Sequence, residues 1–178
     1  LIGGPVSDFA LPSHDSATSA LAEMDQLLQQ NSPSNRIDYA IATHSVYLCE
    51  EETLRKASQL AAKRKARLHI HVSETRKEVA EHHAKTGLYP VEYLDSIDFF
   101  QEGTICAHAS WVKKNEIRIL AKHQATAVHC PSSNMKLACG GTLSLPAYRD
   151  AGVDVRLGTD GAARSGSGLG ILAEAGLA

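Results

Sequence analysis

Short apolar strands alternate along this chain with amphipathic helices, and a histidine or an aspartate stands at the C-terminal end of five of those strands. The strands read at residues 38–44 (DYAIATH), 67–72 (RLHIHV), 104–109 (TICAHA), 126–130 (TAVHC) and 153–159 (VDVRLGT), with a weaker one at 1–6. Between them, residues 16–30 carry Ala20, Leu21, Met24, Leu27 and Leu28 on one helical face. Further helices are predicted at 51–64, 74–86, 91–96, 114–122 and 143–151. Strand–helix alternation of this kind specifies βα units around a parallel sheet. Right-handed crossovers then put the helices on the outside.

Such units close either as a doubly wound open sheet or as a barrel. No G-x-G-x-x-G follows the first strand, which argues against the dinucleotide-binding version of the open sheet. The residues at the strand ends are His44, His71, His108, His129 and Asp160. In a barrel these ends converge on one mouth, where barrel active sites sit.

Several function classes recede on composition. The formal net charge is −2, from 18 basic and 20 acidic residues, so no polyanionic partner is implied. The cluster Lys63, Arg64, Lys65 and Arg67 falls at a helix end, where it complements the helix dipole and does not form a nucleic-acid-binding face. No apolar run approaches the roughly 20 residues that span a bilayer. Cys49, Cys106, Cys130 and Cys139 form no C-x-x-C pair, so buried free thiols in a reducing cytoplasm are expected. The opening residues 1–6 carry no basic region of a signal peptide and no initiator methionine. Residues 31–35 (NSPSN) read as a turn and 164–170 (RSGSGLG) as a flexible loop.

The chemistry lies in the strand ends. In His69-Ile70-His71-Val72-Ser73-Glu74 the two histidines face one side of a strand. A lone strand histidine is more often structural, but H-x-H-x-x-E offers neutral nitrogens to a metal and a carboxylate that moves a proton. Asp160 before Gly161 would by itself be read as a turn aspartate. Beside His71 it becomes a carboxylate able to touch both metal and water. His108 could polarise a leaving group or water, and His44 could donate to a substrate. The turn-rich segment after His129 suits a polar ligand. His14, His82, His83 and His123 are expected to be solvated.

Four segments, 69–75 (HIHVSET), 107–111 (AHASW), 129–140 (HCPSSNMKLACG) and 157–163 (LGTDGAA), resemble the cytosine-deaminase-like and chlorohydrolase branch of the amidohydrolase superfamily. Within it, the 5-methylthioadenosine/S-adenosylhomocysteine deaminases are the nearest likeness. The resemblance runs from about Asp38 to Ala163. It implies a (β/α)₈ TIM-type barrel represented by about six βα units, strands three to eight, so that residues 1–178 form a partial barrel domain. It implies one divalent metal, zinc or else iron, with His71 and Asp160 as ligands. Glu74 would shuttle a proton, His108 would orient the attacking water or the intermediate, and Asp160 would also serve as general base. His44, Glu74 and His108 would contact the substrate, and Ser133 and Asn134 would form a structural turn under the site.

The activity so implied is hydrolytic deamination of an adenosine-type or other aromatic nitrogen heterocycle. Two alternatives are dechlorination or amine displacement on a triazine ring, and a non-catalytic barrel fragment. In this family two further metal ligands come from an H-x-H in the first barrel strand, and no such motif precedes Asp38. Residues 162–168 (AARSGSG) also replace the Asn or Asp residues usual after the TDG turn. A chain of this extent is expected to bind metal weakly, and to be part of a longer chain or to associate with copies of itself.

Overall fold

The computed structural model describes residues 5–9, 16–30, 39–162 and 170–178. Five parallel strands form its sheet: β1 (Ala40–Ala42), β2 (Arg67–Val72), β3 (Ile105–His108), β4 (Thr126–His129) and β5 (Asp154–Leu157). They lie in the order β1-β2-β3-β4-β5. The order never reverses, so the sheet winds in one direction, as in a barrel, whereas doubly wound sheets change direction at a switch point. A sixth strand at 1–6 is reduced to one parallel bridge, Val6 to Thr43, and residues 1–4 lie outside the described residues.

Eight helices are described: α1 (Ala17–Gln30), α2 (Glu51–Arg64), α3 (Arg76–Thr86), α4 (Pro90–Ser96), α5 (Lys114–Lys122), α6 (Pro131–Lys136), α7 (Leu145–Asp150) and α8 (Ile171–Ala175). Their ends follow local chemistry. Helix α2 starts with Glu51 and Glu52, ends with Lys63 and Arg64, and is capped by Lys65 in the left-handed region, so the basic cluster does oppose the helix dipole. Arg64 also pairs with Asp25 of α1 at 2.5 Å. Helix α3 starts two residues later than its pattern predicts, because the Thr75 hydroxyl accepts from the amide of Glu78 at 3.1 Å and acts as N-cap. Helices α6 and α8 were not expected from periodicity. Both are under two turns long, and α6 carries Pro131 in its first turn, a helix-start signal inside what reads as a turn.

The core lies between the helices and one face of the sheet. Leu68, Ile70 and Val72 of β2 are fully buried there, with Ile41, Leu54, Leu94, Phe99 and Leu120 around them. Burying an aliphatic side chain of this size contributes about 1.5–3 kcal/mol. The opposite face is half-covered. Register places His69, Ile105, Thr126 and Asp154 in one row of that face, and His71, Ala107, Val128 and Arg156 in the next. In a closed barrel these rows would line the interior.

Histidines outside the strands are less solvated than expected. His82 is buried and meets Tyr93 edge-on, with ring centroids 4.9 Å apart. His83 stacks on Tyr89 at 4.1 Å, and His123 stacks on Phe100 and lies 2.6 Å from Asp95. Each partner lies outside the helix or turn that carries the histidine, which local pattern does not reveal. His14, the 31–35 turn and most of the 164–170 loop lie outside the described residues. All four cysteines are buried free thiols. Among the described residues no helix is long and apolar enough to cross a membrane.

Candidate active site

Three of the strand-end histidines meet at one end of the sheet. The ring of His71 lies 5.0 Å from that of His44 and 5.6 Å from that of His108. His71 keeps strand alternation and projects from the half-covered face. Its Nδ1 donates to the carbonyl of His44 at 2.7 Å, so in the neutral ring the Nε2 lone pair is free. Burial is the main force keeping His71 neutral, pulling its pKa below the usual imidazole value. Burial also lowers His69, to about 4, with the neighbouring His71 and His108 adding to the effect. Nδ1 of His69 is buried without a partner.

The chain turns sharply at each strand end. Ser73, His108, Ala109 and Asp160 all have positive φ, at 51°, 65°, 45° and 58°. Non-glycine residues in this region are uncommon and concentrate where surrounding structure holds them. The holding contacts are visible. The carbonyl of Ser73 accepts from the amides of Ser110 and Trp111 at 3.1 and 2.9 Å, and buried Tyr148 donates from its hydroxyl to the carbonyl of Ala109 at 2.7 Å.

Glu74 and His108 form the centre of the cluster. Oε1 of Glu74 lies 3.8 Å from Nε2 of His108 and 3.7 Å from the thiol of Cys139. All three residues are buried. On its other nitrogen, His108 Nδ1 donates to Oδ1 of Asn134 at 2.9 Å, while Nδ2 of Asn134 donates to the Ser110 hydroxyl at 2.8 Å. Ser133 donates from its hydroxyl to Oδ2 of Asp160 at 2.5 Å, and the amide of Gly161 donates to Oδ1 at 2.7 Å. The two neighbours Ser133 and Asn134 therefore join Asp160 to His108. Asp160 is also close enough for its charge to oppose the depression of the His69 and His71 pKa values.

The segment after β4 folds back over these groups. The Trp111 indole donates to the carbonyl of Cys139 at 2.8 Å and lies against Gly141, where an added Cβ would come within 2.8 Å of the ring. At the end of β5, Gly158 leaves room for Val128, which an added Cβ would meet at 2.7 Å. The close approach at Gly158 explains the glycine of the 157–163 motif, and the one at Gly141 explains the glycine just past the 129–140 motif.

Of the expected site residues, His44, His71, Glu74, His108 and Asp160 all belong to this one network. His129 is buried and its Nδ1 has no partner, and it feels the cluster only through the charge of His108. Two carboxylates escaped the sequence reading. Glu78 accepts from the amides of Ser73 and Glu74, and Glu174 of α8 accepts from the amide of Ser132 at 3.0 Å. Thr75-x-x-Glu78 is a capping-box pattern and could have flagged the first. Nothing local marks the second. A groove of about 820 Å³ lies beside α3, between Tyr47, Thr75, His82 and Tyr93, and is lined by none of His71, His108 or Asp160.

The donor set suits a divalent metal. A neutral imidazole whose other nitrogen donates to a carbonyl is the usual state of a ligating histidine, and a nearby carboxylate completes a zinc-type pairing. Among the described residues no group of three or more metal-ligating side chains is preassembled. His71 and Asp160 are the two groups here that could serve as donors.

Comparisons with known proteins place the family and the fold. The chain is 43% identical over 131 residues to a 5'-deoxyadenosine deaminase of Methanosphaera stadtmanae, covering 74% of this chain and 31% of that protein. It is 36% identical over 178 residues to a 5-methylthioadenosine/S-adenosylhomocysteine deaminase of Thermodesulfovibrio yellowstonii, covering 100% of this chain and 40% of that one. The crystal structure of an adenosine deaminase from Xanthomonas campestris with bound zinc superimposes with a TM-score of 0.88 at 30% identity, over 95% of this chain and 38% of that one. The chain thus spans between 31% and 40% of the length of these relatives. The open five-stranded sheet is accordingly an arc of a TIM-type barrel. The amidohydrolase family model matches residues 3–175, and the chain belongs to that family.

Proposed function

We propose that the protein carrying this chain is a metal-dependent hydrolase that removes an amino group, as ammonia, from an adenosine-type heterocycle. The observation that carries this reading is the Glu74 carboxylate held 3.8 Å from Nε2 of His108, with the His71 ring 5.6 Å from that of His108. A proton-moving carboxylate, a polarising imidazole and a metal-type imidazole stand together at strand ends. The three deaminases named above share 30–43% identity with the chain.

In this reading His71 and Asp160 hold one divalent metal, zinc by the chemistry of the donors. When bound, the metal supplies the Lewis acidity that brings the pKa of water toward neutrality. Asp160 takes the proton from the attacking water. Glu74 delivers a proton to the ring nitrogen next to the carbon under attack. His108, its Nδ1 held by Asn134, orients the attacking water through its free Nε2. His44 contacts the substrate at the mouth.

The test is product analysis on the complete protein. Incubation with 5'-deoxyadenosine and adenosine should release stoichiometric ammonia and the hydroxylated ring. Chloride release from a chlorotriazine without ammonia from either nucleoside would move the assignment to triazine hydrolysis. A purified protein that retains no divalent metal and turns over neither class would reduce the barrel to a non-catalytic role.

A further inference from the structure

Glu78 is a capping residue whose carboxylate reaches past the cap. In a capping box the N3 carboxylate reaches back to the amide of the N-cap residue. Thr75 fills the N-cap of α3, and its hydroxyl accepts from the amide of Glu78 at 3.1 Å as the motif requires. The Thr75 amide also stands close enough to the Glu78 carboxylate to favour its charged form, yet the direct bonds of Glu78 go one and two residues further back. Its Oε1 accepts from the amide of Ser73 at 2.9 Å, and its Oε2 from the amide of Glu74 at 2.8 Å.

We propose that Glu78 is a positioning residue for Glu74, clamping the Ser73–Glu74 main chain so that the Glu74 carboxylate is held against His108. This rests on the proton-shuttle reading of Glu74 given above. The clamp has two jaws. From one side Glu78 takes both amides; from the other, the amides of Ser110 and Trp111 take the carbonyl of Ser73. Between them Ser73 is wholly buried and has φ at +51°, a conformation that a serine adopts only when its surroundings enforce it.

A helix cap alone does not explain this arrangement. The cap is satisfied by Thr75, and an exposed N3 glutamate would serve the dipole equally well. Glu78 is instead buried, 8% exposed, at the cost of desolvating a carboxylate. Both its oxygens are spent on the residue that carries the shuttle and on the residue before it. Correct placement matters because a displacement of about 1 Å can cost about 10²-fold in rate.

The experiment compares Glu78→Gln and Glu78→Ala with Val79→Ala in the complete protein. Val79 lies on the same helix, is buried, and carries no group that could bond to the Ser73–Glu74 amides. Glu78→Gln keeps one acceptor and turns a donor toward the other amide; Glu78→Ala removes both acceptors. Glu78→Gln should lower kcat for the nucleoside by about 10–100-fold, with KM and metal content nearly unchanged. Val79→Ala should lower Tm by at least as much and leave kcat near parental. Equal kcat in Glu78→Gln and the parent, or kcat loss in all three variants that merely follows Tm, would overturn the clamp. Amide hydrogen exchange gives a second readout that needs no activity. Ser73 and Glu74 should exchange faster in Glu78→Ala while the interior amides of α3 stay protected. Unchanged protection at Ser73 and Glu74 would sink the clamp even in an active enzyme. A protein that deaminates nothing, yet loses that protection in Glu78→Ala, would refute the proposed reaction and leave the clamp standing as a main-chain device.

Discussion

The side-chain oxygen of Asn134 accepts a hydrogen bond from Nδ1 of His108 at 2.9 Å, and this single contact decides which face of the imidazole is available for chemistry. With the Nδ1 proton committed, the other ring nitrogen faces the Glu74 carboxylate. Asn134→Leu should release the ring while keeping similar bulk. We expect a fall of about 10–100-fold in kcat, typical of losing a partner that orients a functional histidine. Asn134→Asp keeps an acceptor at the same place and should retain more activity than Asn134→Leu. Equal activity in the two variants would remove the orienting role.

Glu74→Gln tests the proton itself. The amide keeps the shape and the contact distance to His108 but cannot carry a proton to the ring nitrogen. Turnover should fall by about 10²–10⁴-fold, the usual range for a general acid or base. Metal content should not change, because Glu74 contacts His108 and Cys139 and is not one of the two proposed metal donors, His71 and Asp160. A Glu74→Gln protein turning over at the parental rate would end the shuttle assignment.

What the sequence disclosed follows from where its information is local. Strand alternation placed His69 and His71 on one face of β2, and register bears that out. The βα rhythm put His44, His71, His108, His129 and Asp160 at one end of the sheet, and the H-x-H-x-x-E motif added Glu74. The turns that aim these residues were not legible, because positive φ at Ser73, His108 and Asp160 is imposed by contacts from other elements. Asn134 read as a turn residue because its partner His108 is 26 positions away. Glu174 was invisible for a similar reason, reaching Ser132 across 42 positions. His82 read as solvated because Tyr93, which covers it, belongs to another helix.

Glu78 also makes stability depend on pH. Burial raises its pKa from 4.5 to about 7 against the pull of its amide hydrogen bonds. Folding therefore favours the protonated acid. The stabilisation from this group is full below pH about 4.5 and is lost as pH rises through about 7. The shift sets an upper bound of about 3 kcal/mol. Glu78→Gln mimics the neutral form at every pH, so the Tm of the parent relative to Glu78→Gln should fall between pH 5 and 8. A difference in Tm that stays flat, or that rises with pH, would show that the amide hydrogen bonds outweigh burial.

The last prediction concerns the edges of the sheet. Among the described residues, β5 pairs only with β4, and β1 has beyond it just the single bridge between Val6 and Thr43. Parallel sheets in α/β proteins are normally covered on both faces, and barrels remove their edges by closing. Here the inner rows are half-covered, and Asp154 and Arg156 of β5 pair with each other at 2.8 Å while remaining exposed. Such an edge is a template for another strand. Prepared by themselves, these 178 residues should self-associate through β1 and β5, and should hold metal more weakly than a protein in which further strands close the barrel. His71 and Asp160 are then the only proposed donors, and a structural zinc site ordinarily uses four. Sedimentation velocity together with metal analysis on the same sample would decide it. A stable monomer carrying one zinc per chain would show that the arc closes its own site, and both the edge argument and the two-donor argument would fail.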